Sequence, residues 1–218
     1  MKLFVDGERT LESKLEEKVY QTLIEIFESY DELTIYVDEC NEFTVLFINI
    51  YYNIKRLFLG KNLSLVLLVS SNELLFYDSM QFARYNIEFD DVLVPPVKDT
   101  MWKRKQVKKW AVKESDILFI YHYWFSYVNI EKLLKISGGV IGKQLINVAD
   151  QLLAEKIIRE MNIPAVDRYI LEACNSGKPL KDVGEKIGFS STRVKQNYDR
   201  VTHKISKYMY QRLKTQEG

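Results

Sequence analysis

The sequence has 218 residues, enough for one large domain or two small ones, and 47% of them are hydrophobic, so the chain can bury a sizeable core. Only 9 Gly and 4 Pro exclude a collagen-like or low-complexity protein, and a net charge of +1 gives by itself no argument for nucleic acid or membrane binding. Cys40 and Cys174 are too few for a disulfide framework or a zinc site, so we expect two small buried residues in a reducing compartment and no metal.

No targeting segment or membrane span is predicted. The start of the chain, Met1–Gly7, contains too short an apolar run for a signal peptide and ends in turn residues. The longest apolar run, Leu63–Val69, is far below the ~18 residues that a transmembrane helix needs. We therefore expect a soluble cytoplasmic protein with no membrane partner.

Short apolar runs of strand length recur in the first 150 residues. Because successive positions are apolar, the runs are typical of strands buried on both faces, as in a parallel sheet covered by helices. The predicted strands are Lys2–Val5, Leu33–Val37, Leu63–Val69, Ile117–Tyr121 and Gln144–Val148.

Helices are predicted between these strands. Apolar residues at helical spacing from Leu15 to Phe27 indicate an amphipathic crossover helix, and Phe43–Phe58 is predicted to be a second helix with most of its faces apolar. The alternation predicts an α/β fold, in which residues 1–150 form a three-layer Rossmann-like domain with a parallel sheet.

A basic helix is predicted over Met101–Val112, after a break at Pro95 and Pro96. One interpretation is a phosphate or nucleic-acid contact. We prefer a surface helix whose two tryptophans pack on the sheet while the lysines stay in water, because the rings are eight positions apart, near one helical face. The residues concerned are Trp102, Trp110, Lys103, Arg104, Lys105, Lys108 and Lys109.

The order of these elements resembles a bacterial Rossmann-like family, the SLOG superfamily, whose relatives bind nucleotides. The likeness covers about residues 1–150. Its most specific part is Lys103-Arg104-Lys105 followed by Trp110-Ala-Val112 and the run Ser115–Tyr121, and Gln144–Ala149 resembles the family's last strand.

The sequence departs from this family at the phosphate-binding turns. Asp6-Gly7-Glu8-Arg9 stands where the family has Gly-His-Arg, and Trp124-Phe125-Ser126-Tyr127 stands where it has Gly-Gly. Bulky side chains at such turns obstruct the approach of backbone N–H groups to an anion, and Glu8 and Glu39 would repel phosphate. We therefore expect a non-catalytic relative that acts as a sensor or oligomerisation domain, with no cofactor and an unknown ligand.

The sequence offers few residues for other kinds of enzyme catalysis. The chain has 2 His, His122 and His203, too few for a His-centred triad or metal cluster, and we expect His122 to be a core or rim residue at a strand end. Neither a nucleophile elbow nor a P-loop is present, and the glycine-rich stretch Gly138–Gly142 precedes a strand, as a helix stop and loop would. No catalytic or metal-binding residue is predicted.

The C-terminal part of the chain carries the excess of positive charge. Residues 155–218 contain 13 basic and 8 acidic residues, a net charge of +5, whereas residues 1–154 contain 18 and 22, a net charge of −4. A basic segment is typical of a domain that meets a polyanion, although a solvated helix surface has the same composition. Because Asn162-Ile-Pro164 indicates a boundary, we predict a helical connector over 151–164 and an all-α helix-turn-helix domain over 165–218.

Three helices are predicted after this boundary, over Val166–Ala173, Leu180–Ile187 and Ser191 to about Tyr208. Gly188-Phe189-Ser190 has the length of the turn in a helix-turn-helix, in which Gly allows the reversal and Ser190 caps the next helix.

The run Leu180–Tyr198 is similar to the helix-turn-helix of LuxR-type regulators and of sigma-factor region four. The resemblance implies a close helix crossing at Gly184, where these families usually have Ala. It also implies a shared core of Val183, Ile187, Val194 and Tyr198.

The start of the third helix is predicted to be a recognition helix. Its donors and amides suit base edges in the major groove and phosphates. We therefore expect a bacterial transcriptional regulator that binds double-stranded DNA in a sequence-specific manner, as a homodimer because paired half-sites favour one. The candidate DNA-binding residues are Ser191, Thr192, Arg193, Lys195, Gln196, Asn197 and Arg200.

Several alternatives stay open. The three helices could form a protein-binding module with an incidental basic face, or an adaptor that binds RNA polymerase. The chain could instead be a nucleotide-binding or nucleotide-processing enzyme that its C-terminal helices tether to DNA or to a partner. The apolar residues of the tail pack either within the chain or in a dimer interface. They are Ile205, Tyr208, Met209 and Leu213.

Overall fold

The structure is a computed structural model, and it describes residues 1–7, 11, 14–70, 79–97, 103–123 and 143–216. These residues divide into two compact units. The first contains the described residues up to Tyr121 together with residues 143–148, and the second contains residues 149–216 together with His122 and Tyr123.

The first unit is built on a six-stranded sheet in which every neighbouring pair of strands is parallel. The strand order is β4-β3-β2-β1-β5-β6, so the chain builds one half of the sheet outward from β1 and then crosses to the other side. The strands are β1 Lys2–Gly7, β2 Glu32–Val37, β3 Asn62–Leu68, β4 Asp91–Leu93, β5 Ile117–Tyr121 and β6 Gln144–Asn147.

All five predicted strands are confirmed with small shifts at their ends. β4 was not predicted, because it is a three-residue edge strand with exposed residues, and its apolar run Val92–Val94 is shorter than the runs that indicated the other strands. β1 extends two residues beyond the predicted Val5, and this extension takes Asp6 and Gly7 into the sheet.

Helices cover both faces of this sheet, which confirms the three-layer architecture. α1 spans Leu15–Ser29, α2 spans Glu42–Lys55 and α3 spans Lys103–Glu114. On one face, α2 packs directly on the sheet at Gly7, where a Cβ would overlap the ring of Phe43. On the other face the adjacent residue, Asp6, meets α3, because successive strand residues point to opposite sides.

Aromatic contacts fill the interior between the sheet and α2. The Phe43 ring stacks on the Tyr121 ring at a centroid distance of 5.3 Å, and Phe47 meets Phe119 edge-on at 5.1 Å. α2 starts at a capping box in which Asn41 and Thr44 bond each other's backbone N–H groups. The helix ends at Lys55, three residues before the predicted end.

The second unit is helical. Its helices are α4 Gln151–Glu160, α5 Ala165–Asn175, α6 Leu180–Ile187 and α7 Ser191–Gln216. α4 lies within the predicted helical connector 151–164, and its Glu155 lies 3.6 Å from Arg168 of α5. Within the described ranges, no helix is both long and apolar enough to cross a membrane.

Candidate functional site

The turn between α6 and α7 has the tight geometry predicted from Gly188-Phe189-Ser190. Gly188 adopts a left-handed conformation with φ of 71°, and the Phe189 N–H donates to the Gly184 carbonyl at 2.9 Å. A Cβ at Gly184 would overlap the Phe189 carbonyl oxygen. The alanine usual in the resembled families therefore does not fit this backbone, which is why glycine stands at the crossing.

The turn also sets the start of α7. The Ser190 hydroxyl accepts a hydrogen bond from the Arg193 backbone N–H at 3.3 Å, as the predicted cap requires. Of the predicted core, Val183, Val194 and Tyr198 are buried, whereas Ile187 is only half-buried because it ends α6 beside the turn.

Most of the predicted DNA-binding side chains lie on the exposed side of α7. At 100° per residue, Thr192 and Gln196 lie on the side of α7 opposite the buried Val194 and Tyr198. Arg193 lies between these two sides. Asn197 is half-buried because it lies nearer the core side. The exposed members of the predicted set are Ser191, Thr192, Arg193, Lys195, Gln196 and Arg200.

The three basic residues of this set have different partners. Lys195 Nζ lies 2.7 Å from an Asp199 carboxylate oxygen one turn along α7. Arg200 Nη2 donates to both oxygens of Asp167, at 2.9 and 2.8 Å, and because Asp167 is buried in α5 this pair ties α7 to α5. Arg193 has no acidic partner in the part of the chain that the structure describes, and its guanidinium carbon lies 4.2 Å from the centre of the Phe189 ring.

The C-terminal half of α7 packs within the chain. Ile205 and Met209 are buried, and Arg212 Nη2 donates to Glu160 Oε1 of α4 at 3.1 Å. This is the first of the two arrangements that the sequence left open for the tail. Tyr208 is half-buried, and the Leu213 side chain lies outside the described residues.

A second cluster, which the sequence did not reveal, lies at the carboxyl ends of β1 and β2. Val5 pairs with Val37 in the parallel register, so Asp6 and Asp38 follow at the same level of the sheet and both are buried. Lys108 of α3 donates to Asp6 Oδ1 at 2.6 Å. We call Asp6, Asp38 and Lys108 the strand-end cluster.

Burial controls the protonation of the strand-end cluster. Burial raises the pKa of Asp38 to about 7, against the opposing effect of Lys108 and with further increases from Asp6 and Glu39. Burial also lowers the pKa of Lys108, but the carboxylates of Asp38 and Asp6 outweigh it and hold this pKa above its ordinary value. Asp38 Oδ1 is buried and makes no hydrogen bond within the described residues.

Lys108 corrects our expectation that the lysines of the basic helix stay in water. Lys108 is half-buried, with 13% of its side chain exposed, because it lies on the side of α3 that carries Ala111 and Val112, and the carboxylates at the strand ends compensate its charge. Lys108 precedes the apolar residues Ala111 and Val112 by three and four positions, and this spacing could have indicated that it lies on the inner side of the helix. Trp110 packs on Tyr36 at a centroid distance of 5.9 Å, whereas Trp102 lies outside the described residues.

Two carboxylates and one ammonium at this edge disfavour a phosphate, as the sequence indicated for Glu39. Ligands of open α/β sheets bind outside the carboxyl ends of the strands, so the cluster lies in the ordinary ligand position of this architecture.

His122 is buried after β5 as expected, but Cys40 is half-buried instead of buried. Glu8, Trp124–Tyr127 and Gly138–Gly142 lie outside the described residues, and those described contain no group of acidic, His or Cys side chains that could hold a metal ion.

The fold defines the class of this protein. It is a Rossmann-like α/β protein with an all-parallel sheet, followed by a C-terminal all-helical segment. A comparison with models of known protein families gives no match, and a comparison with curated proteins gives none either.

Proposed function

We propose that the protein is a sequence-specific DNA-binding transcriptional regulator whose Rossmann-like domain is a non-catalytic sensor or oligomerisation domain. The observation that carries the proposal is the exposed polar and basic start of α7, which follows the tight turn at Gly188. In helix-turn-helix proteins the helix after such a turn enters the major groove and contacts bases with its first residues.

Packing and charge add support. α5, α6 and α7 pack against one another in one unit, and the Arg200–Asp167 pair links the first of these helices to the third. The net charge of +5 over residues 155–218 favours a polyanionic partner. The similarity of Leu180–Tyr198 to LuxR-type and sigma-factor region-four helices points to the same function.

The test is selection of binding sites from random duplex DNA with the full-length protein, repeated at about 50 and 200 mM salt, because non-specific phosphate contacts weaken steeply over that range. We expect an enriched motif. A protein with Arg193→Ala and Lys195→Ala should lose binding to the selected duplex while its melting temperature stays within about 2 °C, the effect of a few tenths of a kcal/mol.

The matched control is Lys18→Ala, which removes an exposed positive charge from α1 and should leave binding unchanged. If the double variant binds the selected duplex as tightly as the unaltered protein, α7 is not the recognition helix. If no motif is enriched and only salt-sensitive binding is found, the helices act as a tether or as a docking module for a protein such as RNA polymerase.

The position of the strand-end cluster favours a second candidate, a nucleotide-binding or nucleotide-processing enzyme that its C-terminal helices tether to DNA or a partner. Because the carboxylates disfavour a phosphate, the cluster would meet a part of the ligand that carries none, such as the base or the ribose. A carboxylic acid with a pKa of about 7 can accept or donate a proton near neutrality, and Asp38 follows β2 at the ligand-binding edge of the sheet. The test is a thermal-shift screen with nucleosides and nucleotides. Stabilisation of the unaltered protein that is lost in Asp38→Asn would favour the enzyme.

A further inference from the structure

Arg193 is held differently from the other basic residues at the start of α7. Lys195 and Arg200 each lie against a carboxylate, that of Asp199 or Asp167. The Arg193 guanidinium lies over an aromatic ring, with its carbon 4.2 Å from the centre of Phe189. A ring face orients a guanidinium through stacking and cation–π attraction, and unlike a carboxylate it occupies none of its N–H donors.

Phe189 is itself fixed by the turn. Its N–H donates to the Gly184 carbonyl at 2.9 Å, and its own carbonyl lies so close to Gly184 that a Cβ there would overlap it. The backbone on either side is equally defined, because Gly188 is left-handed and the Ser190 hydroxyl caps α7. Phe189 is half-buried, and the guanidinium of Arg193 lies over its ring.

A guanidinium that lies over a ring face keeps its N–H donors for a further partner. The five donors of an arginine lie in the guanidinium plane and form a fork, so a ring against one face does not block them. Among the base edges of the major groove, guanine presents two acceptors, O6 and N7, at the spacing of that fork. An arginine already held in one orientation loses less conformational entropy when it makes this pair.

We propose, on the basis of the proposed function, that Phe189 is a positioning residue that holds Arg193 to recognise one guanine of the binding site. Arg193 makes the base contact. Lys195 and Arg200, held by Asp199 and Asp167, contribute charge and helix packing and do not determine which base is recognised at that position.

The experiment uses the full-length protein and the duplex enriched from random DNA. Each guanine of the motif is replaced in turn by 7-deazaguanine, which lacks N7 but keeps base pairing, and dissociation constants are measured for every duplex. The unaltered protein should lose roughly 10- to 100-fold in affinity at one guanine through loss of the bidentate contact. Arg193→Ala should weaken binding to the unmodified duplex and remove the penalty at that guanine alone.

Phe189→Leu keeps the bulk of the side chain but removes the ring face. It should lower affinity for the unmodified duplex roughly 2- to 5-fold, the effect of an exposed cation–π contact, and reduce the penalty at the same guanine by a similar factor. Phe189→Tyr, which keeps the ring, should restore both values. Circular dichroism melting of each variant checks that the helical unit stays folded.

Two results would overturn the proposal while the proposed function stands. In one, Phe189→Leu leaves the penalty at every guanine unchanged although Arg193→Ala removes one of them. In the other, Arg193→Ala weakens binding to all duplexes equally and lowers the salt dependence by about one charge, as for a phosphate contact. Selection that enriches no motif would instead overturn the proposed function and this inference together.

Discussion

Asp38→Asn should change the dependence of stability on pH. The folded-state pKa of Asp38 is raised from 3.8 to about 7, so between these values the folded chain retains a proton that the unfolded chain has released. Stability is therefore highest at the acidic end of this window and falls as the pH rises through it. Lys108, Asp6, Glu39 and Arg104 surround the carboxyl group, and the pKa of Lys108 is too high for it to titrate in this range.

The size of the effect follows from the two pKa values. From pH 5 to pH 8 the unaltered protein should lose about 2 to 3 kcal/mol of unfolding free energy through this one group. Asparagine has nearly the same shape and does not titrate, so Asp38→Asn should remove this loss. The variant should match the unaltered protein at pH 5 and be more stable by about the same amount at pH 8.

The assay is urea unfolding at pH 5, 6, 7 and 8, followed by tryptophan fluorescence, as about one measurement per pH unit resolves a single titration. All 3 Trp precede residue 150, and Trp110 packs on Tyr36, which lies two positions before Asp38. Glu25→Gln is the control, because it makes the same chemical change at an exposed position of α1. Equal pH dependence of Asp38→Asn and the unaltered protein would refute the reasoning about burial.

Two further substitutions test the packing of each unit. Gly184→Ala should destabilise the helical unit by about 1 to 3 kcal/mol in circular dichroism melting, because the new Cβ meets the turn's carbonyl, although alanine has the better helix propensity. Gly60→Ala, in open space, should have little effect, and equal melting of the two variants would contradict the close crossing. Lys108→Ala should cost about 3 to 5 kcal/mol in urea unfolding because it leaves Asp6 buried without its ammonium, whereas Lys105→Ala, at an exposed site, should be nearly neutral.

The parallel sheet could be predicted because its signal is local. Leu63–Val69 and Ile117–Tyr121 are apolar at almost every position, and only a strand covered on both faces requires this. β4 could not be predicted in the same way. It is short and partly exposed at the sheet edge, so its place depends on pairing with β3 and not on its own composition.

The candidate DNA-binding surface was partly predictable. The turn at Gly188 and the exposed positions of α7 follow from glycine placement and helical periodicity, which act over a few residues. The partners of the basic side chains do not follow from such local patterns. Arg200 meets Asp167 from 33 positions earlier, and nothing in the local pattern distinguishes that arginine from Arg193.

The sequence by itself determined where the chain forms buried strands, where helices cross between them, and where a basic three-helix segment begins. These features depend on the spacing of apolar residues, glycines and charges within one element. The tertiary structure alone decided which charged side chains lie together at the strand ends. Asp6, Asp38 and Lys108 come from three parts of the chain up to 102 positions apart, and only the parallel register and the packing of α3 bring them to one edge of the sheet. An ion pair leaves no periodic trace, because its energy depends on distance and desolvation and not on separation along the chain.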